Sequence, residues 1–161
     1  MNLEQLGLFG VFLGGAIPWL EAIAVVPAGI VLGLDPVLTV VFASVGNIIT
    51  IAVFAYGGGA LRNWIVSRRV AKGKKAESPK FVKAQKAFDK YGIFGMAALG
   101  PILIGTQFAA AASVAAGVKP LKVTVLVSAA MVIWATFIAW AVVSLGISFV
   151  EASAMVNETK T

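Results

Sequence analysis

Cysteine and histidine are both missing from this chain of 161 residues. Their absence removes thiol nucleophiles, disulfides, imidazole bases and the usual ligands of zinc, haem and iron–sulfur centres. Acidic residues are few, seven in all, and they are scattered along the chain, so a metal site built from carboxylates is not expected either. No cofactor is implied. An enzyme is the least expected reading, because no base, nucleophile or metal constellation is visible. Charge of either sign is scarce: 12% of residues are charged against 60% hydrophobic, with a mean hydropathy of +0.95. Soluble domains are less apolar and about twice as charged, so the main solvent of this chain is expected to be lipid.

What is present is long apolar sequence. Residues 5–34 carry one charge, Glu21, and residues 36–61, 91–118 and 123–150 form three further stretches with little or none. Each is long enough to enter a bilayer core of about 30 Å, which a helix crosses in roughly 20 residues. Lipid offers no hydrogen-bond partners and strand-like alternation is absent, so these stretches are expected to be helices in an all-α integral membrane protein. The first stretch lacks the basic start and small-residue ending of a cleaved signal peptide and is read as part of the mature fold.

Ten of the thirteen basic residues fall in 62–90, between the two apolar halves, against only Glu77 and Asp89. The positive-inside rule places that linker in the cytoplasm, with anionic headgroups as its partners. Little aromatic interleaving supports nucleic acid, and none is expected as a partner. Phe81, Ala84, Gln85 and Phe88 recur at helical spacing among lysines, the pattern of an amphipathic helix at the interface. Trp64, near Arg62, Arg68 and Arg69, fits an interface anchor.

The two halves share local patterns at nearly one offset. Gly7-Leu8-Phe9-Gly10 matches Gly92-Ile93-Phe94-Gly95, Gly15 matches Gly100, Gly33-Leu34-Asp35-Pro36 matches Gly117-Val118-Lys119-Pro120, and Ser44 matches Ser128. Internal duplication of this kind is common in transporters. The organisation expected is one membrane domain: repeat 1 at 5–61, the basic linker at 62–90, repeat 2 at 91–150 and a polar tail at 151–161.

Residues 5–34 would span about 45 Å as a single helix, too long for one upright span and too short for two. Pro18, Pro27, Gly33 and Pro36 in the first half, and Pro101, Gly117 and Pro120 in the second, are the expected breaks, with the second turn near Gly100, Pro101, Gly105 and Thr106. A re-entrant helical hairpin followed by one span satisfies both length and breakers, and two such repeats must be inverted. Asp35, Glu4, Glu151 and Glu158 then lie outside and Lys119 and Lys122 inside. Four plain transmembrane helices are the alternative, and they leave both lysines outside. The run Gly57-Gly58-Gly59 is expected to end or loosen its helix at the interface.

Pro18-Trp19-Leu20-Glu21, Pro27-Ala28-Gly29, Gly33 and Ser44-Val45-Gly46-Asn47 together resemble the front half of the small multidrug export protein family. Phe88-Asp89-Lys90-Tyr91-Gly92, Gly100-Pro101 and Gly105-Thr106 resemble its second block. That family is similar in design to the DedA or VTT-domain membrane proteins, whose inverted re-entrant hairpins are associated with lipid transport. The resemblance implies a multi-pass protein of the bacterial inner (plasma) membrane. Where such families carry arginine, this chain has Ile23, Thr106 and Gln107, so the resemblance does not extend to an arginine clamp for phosphate.

The function expected is a small membrane transporter, proton-coupled or not, for an amphiphile such as a lipid-linked phosphate or a drug-like molecule. The rival is an accessory or assembly subunit of a larger membrane complex that transports nothing. A homodimer, or a place in such a complex, would shield the hairpins. Glu21 is the first candidate residue, since an ionised carboxylate in the membrane costs at least about 2.5 kcal/mol; it serves proton coupling or substrate contact, or else is a protonated group bonded across helices. Asn47, beside Gly46, is either a substrate contact or glue between close-packed helices. Gly105, Thr106 and Gln107 stand where a half-helix would present free amides to an anion. Trp134 and Trp140 are expected to pack or face lipid.

Overall fold

The structure, a computed structural model, describes residues 3–18, 20–73 and 79–146. The polar tail 151–161 lies outside the described residues, as do the side chains of Arg62, Trp64, Phe81, Ala84 and Gln85. Among the described residues every regular element is a helix, and there is no strand. The elements are α1 (Leu3–Ala16), α2 (Glu21–Val31), α3 (Pro36–Ala71), α4 (Pro79–Leu103), α5 (Thr106–Ala115) and α6 (Pro120–Ser144).

Two segments, Pro36–Gly58 in α3 and Pro120–Ser144 in α6, are long and apolar enough to cross a membrane. Only 33% and 28% of their most apolar windows are buried within the chain. A helix at the core of a soluble protein would be covered by its neighbours. Here Val37, Val41, Val45, Ile49 and Val53 on α3, and Ile133, Phe137 and Trp140 on α6, stand exposed.

Helix ends follow one device used twice. After α2 the amide of Leu34 donates to the Gly29 carbonyl (3.1 Å) and that of Gly33 to the Ile30 carbonyl (2.9 Å), with Gly33 at φ 87°. After α5 the amide of Val118 donates to the Ser113 carbonyl (3.1 Å) and that of Gly117 to the Val114 carbonyl (2.9 Å), with Gly117 at φ 94°. Both are Schellman endings, which need a residue that tolerates positive φ. Each is followed by a proline, Pro36 or Pro120, opening the next helix where its missing N–H matters least. Asp35 also caps α3, its Oδ1 accepting from the Leu38 amide at 2.8 Å. The helix starts Glu21 and Thr106, and Pro36 and Pro120, thus recur at nearly the offset that relates the sequence patterns.

Three expected breaks are corrected. Pro27 lies inside α2 and Pro101 inside α4. Each ring removes one N–H without ending its helix. The actual breaks near them are the turn that includes Pro18, between α1 and α2, and the turn at Ile104 and Gly105. Nor do Gly57, Gly58 and Gly59 end their helix: α3 runs on to Ala71. A methyl group added to Gly58 would meet Ala111 Cβ at 3.5 Å, an ordinary van der Waals distance, so this glycine faces α5. The start of the basic linker is accordingly the last part of α3. α4 is kinked at Gly92 (φ 62°, ψ −167°), which separates residues 79–91 from 93–103.

Contacts divide the chain into two compact units: residues up to Asn47 with those from Val132 on, and Ile48–Met131. In the first, α1 and α2 form an antiparallel pair. Added methyl groups would place Gly7 against Leu34, Gly14 against Val25 and Gly29 against Val11, so numbers rise on one helix as they fall on the other. In the second, Gly100 faces Ala109, and Met96 packs with Ala109 and Ala112, the same antiparallel sense between 93–103 and α5. α5 also runs alongside α3, with Phe54 against Phe108 (6.4 Å between ring centroids).

Candidate functional site

The first unit holds Glu21 and Asn47. Glu21 opens α2 and is 7% exposed, and it has the one positive φ (49°) among the described non-glycine residues. A side chain makes that conformation unfavourable by about 1 to 2 kcal/mol. The second antiparallel pair turns on a glycine, Gly105 at φ 95°. Glycine at position 21 would remove the strain and the buried carboxyl together. Keeping glutamate there carries that backbone cost.

The level of Asn47 relative to Glu21 follows from the contacts of the unit. An added methyl on Gly29 would come within 2.7 Å of Thr39 Cγ2, joining α2 to α3. Val25 of α2 meets Gly14, and Ala43 of α3 meets Gly15, so Val25 and Ala43 share one level on α1. One further turn along each of α2 and α3, about 6 Å, leads to Glu21 and Asn47. These two residues, both buried, stand at the same height in the unit.

Two more polar groups belong to this unit. The hydroxyls of Thr39 and Ser44 are buried and make no hydrogen bond. Each such group costs about 1 to 3 kcal/mol if nothing satisfies it. Ser128, in the second unit, is buried in the same condition. Ser44 and Ser128 had been paired by sequence alone, but Thr39 had not been singled out. Its signal was weak: a threonine near the start of an apolar helix more often bonds its own backbone, as Thr124 does to the Pro120 carbonyl (2.9 Å).

Along the α1–α2 pair runs an apolar groove of about 480 Å³. Gly7, Gly10, Gly14 and Gly29 are among its lining, Gly10 facing open space, and Leu20, which precedes Glu21, lines one end. The groove thus combines a greasy wall with a carboxyl residue adjoining its end in the chain.

The second unit holds Gly105, Thr106 and Gln107. Gly105 is the N-cap of α5 and no side chain caps the amides that follow. The α2 start likewise has no side-chain cap. Thr106 and Gln107 are buried, and Gln107 Nε2 donates to Thr50 Oγ1 at 3.4 Å. Thr50, missed in the sequence, sits three residues beyond Asn47 on α3, a spacing that keeps the two on neighbouring faces. Gln107 is therefore engaged inside its own unit. No protein-family model matches this chain, and no curated protein or solved structure matches it.

Proposed function

We propose that this chain is a small multi-pass membrane transporter for an amphiphile, such as a lipid-linked phosphate or a drug-like molecule, with Glu21 as its coupling or substrate-contacting group. The observation that carries the reading is the buried Glu21, held in a left-handed backbone conformation where glycine would be cheaper, on a helix whose N-cap Leu20 and residues Ala24 and Ala28 line an apolar groove. Asn47 at the same height and the unsatisfied hydroxyls of Thr39 and Ser44 supply further polar contacts along α3. An amphiphile has the two kinds of surface that such a unit accommodates.

In this reading the two antiparallel pairs are re-entrant hairpins, and each hairpin with its following span is one of two inverted repeats. Support comes from length. α1 has 14 residues and α2 has 11, about 21 and 17 Å, and neither crosses a 30 Å core alone. The recurring Schellman ending and the recurring helix starts fit duplication. The resemblance to the small multidrug export family and to DedA-like proteins agrees with this architecture, with an inner-membrane location and with a cytoplasmic linker. The chain performs no covalent chemistry on its substrate, and dimerisation shields the exposed faces of the hairpins.

The test is reconstitution of the full chain in proteoliposomes, with flux of lipid-linked phosphates and of cationic drugs measured against protein-free vesicles. Protein-dependent flux of either class supports the reading. Absence of flux for both, together with a stoichiometric partner that copurifies from the membrane, would replace it with the accessory-subunit role.

A further inference from the structure

A second groove opens where α6 begins, in the unit formed by Ile48–Met131. It encloses about 380 Å³ and is lined by Phe94, Leu121, Val125 and Leu126 with Lys119 and Lys122. Among the described residues no carboxylate lines it. Phe94, Leu121 and Val125 are well exposed, so the apolar wall is open to whatever surrounds the protein. Lys122 Nζ lies 5.9 Å from the centroid of the Phe94 ring, which draws the ammonium to the edge of that wall.

The start of α3 shows what is different here. There Asp35 caps the helix and brings a negative charge to the positive end of the dipole. The matching position before α6 is Lys119, which has no acceptor and adds positive charge to the same kind of helix end. Two lysines and an N-terminal dipole of the same sign together favour an anion.

We propose that this groove binds one anionic glycerophospholipid, its phosphate held by Lys119 and Lys122 and its upper acyl chain lying against Phe94, Leu121 and Val125. A soluble phosphate would leave the apolar wall unused. A second copy related by two-fold symmetry would bring the same two lysines towards themselves, in a chain whose net charge is already +6. The lipid satisfies both halves of the groove. Its place at the end of a span long enough to cross the bilayer is where headgroups lie. The site rests on the membrane reading but not on Glu21, so it stands or falls separately from transport.

The experiment is native mass spectrometry of the full chain released from detergent, titrated with phosphatidylglycerol and with phosphatidylcholine. Wild type should retain one phosphatidylglycerol in preference to phosphatidylcholine. Lys119→Gln with Lys122→Gln should weaken that binding about thirty-fold, roughly fivefold for each lysine near an anionic group. Val125→Trp should weaken it with both lysines intact, by filling the groove. Equal retention of the two lipids by wild type, or an unchanged titration in the double variant, would overturn the proposal. So would a lipid-free dimer that Val125→Trp dissociates, since a second copy would then cover the groove.

Discussion

Gly15 lies directly against the backbone of Ala43, so close that a methyl group in its place would fall on the Ala43 carbonyl oxygen. Gly46 repeats the relationship in reverse, against the Phe12 carbonyl. α1 and α3 therefore cross backbone to backbone, the approach that small residues permit where lipid removes the hydrophobic drive between helices. Gly46→Val and Gly15→Val should each destabilise the fold by about 3 kcal/mol or more, since backbone cannot move aside as a side chain does. Thermal unfolding in detergent, with yield from the membrane, measures the loss.

Gly10 and Gly57 are the internal controls. Each is helical, and an added methyl would meet nothing within 4 Å. Gly10→Ala and Gly57→Ala should be neutral or stabilising by up to about 1 kcal/mol, the difference in helix propensity. The same unfolding assay reads them. A loss as large as that of Gly46→Val at either position would show that a neighbour, in the membrane or in an oligomer, covers it.

The Gln107–Thr50 pair offers a test of packing against function. At 3.4 Å the hydrogen bond is long, so Thr50→Val should cost no more than about 1 kcal/mol. A double-mutant cycle with Gln107→Met should give a coupling energy of similar size or less. If Gln107 serves packing alone, both variants keep wild-type flux per folded molecule. Loss of flux in Gln107→Met at unchanged stability would make it a substrate contact.

Topology can be read without background because the chain has no cysteine. Asp35 and Lys119, both exposed, are matching positions before the two spans. With inverted repeats, Asp35→Cys should label with an impermeant reagent from outside the cell and Lys119→Cys only from the cytoplasm. Labelling of both from outside would support four plain spans.

Much of the helix layout was legible because its punctuation is local. A glycine followed three residues later by proline, as in Gly33 with Pro36 and Gly117 with Pro120, fixes a helix ending and the next start through backbone chemistry alone. Proline by itself was a poorer guide. Pro27 and Pro101 stay inside helices because loss of one N–H is tolerable when the rest of the ladder holds. The glycine run at 57–59 misled for a related reason: glycine lowers helix propensity without ending a helix whose ladder is held on both sides, and α3 carries through it to Ala71. At the site, Glu21 was visible as a charge in apolar sequence. Its left-handed backbone and the burial of Thr39 were not, since both depend on how α1, α2 and α3 meet.

The central claim is that the Glu21 carboxyl works in transport, and Glu21→Gln tests it most directly. Glutamine keeps the size and most of the hydrogen bonding, and it places the same demand on the positive φ, so folding and membrane yield should match wild type. It cannot give up a proton. Flux of the transported amphiphile in proteoliposomes, measured over a pH series at matched protein density, should fall at least tenfold in Glu21→Gln or lose its dependence on pH. Equal flux with an unchanged pH profile would contradict the claim and reduce Glu21 to a hydrogen-bonded strut between helices.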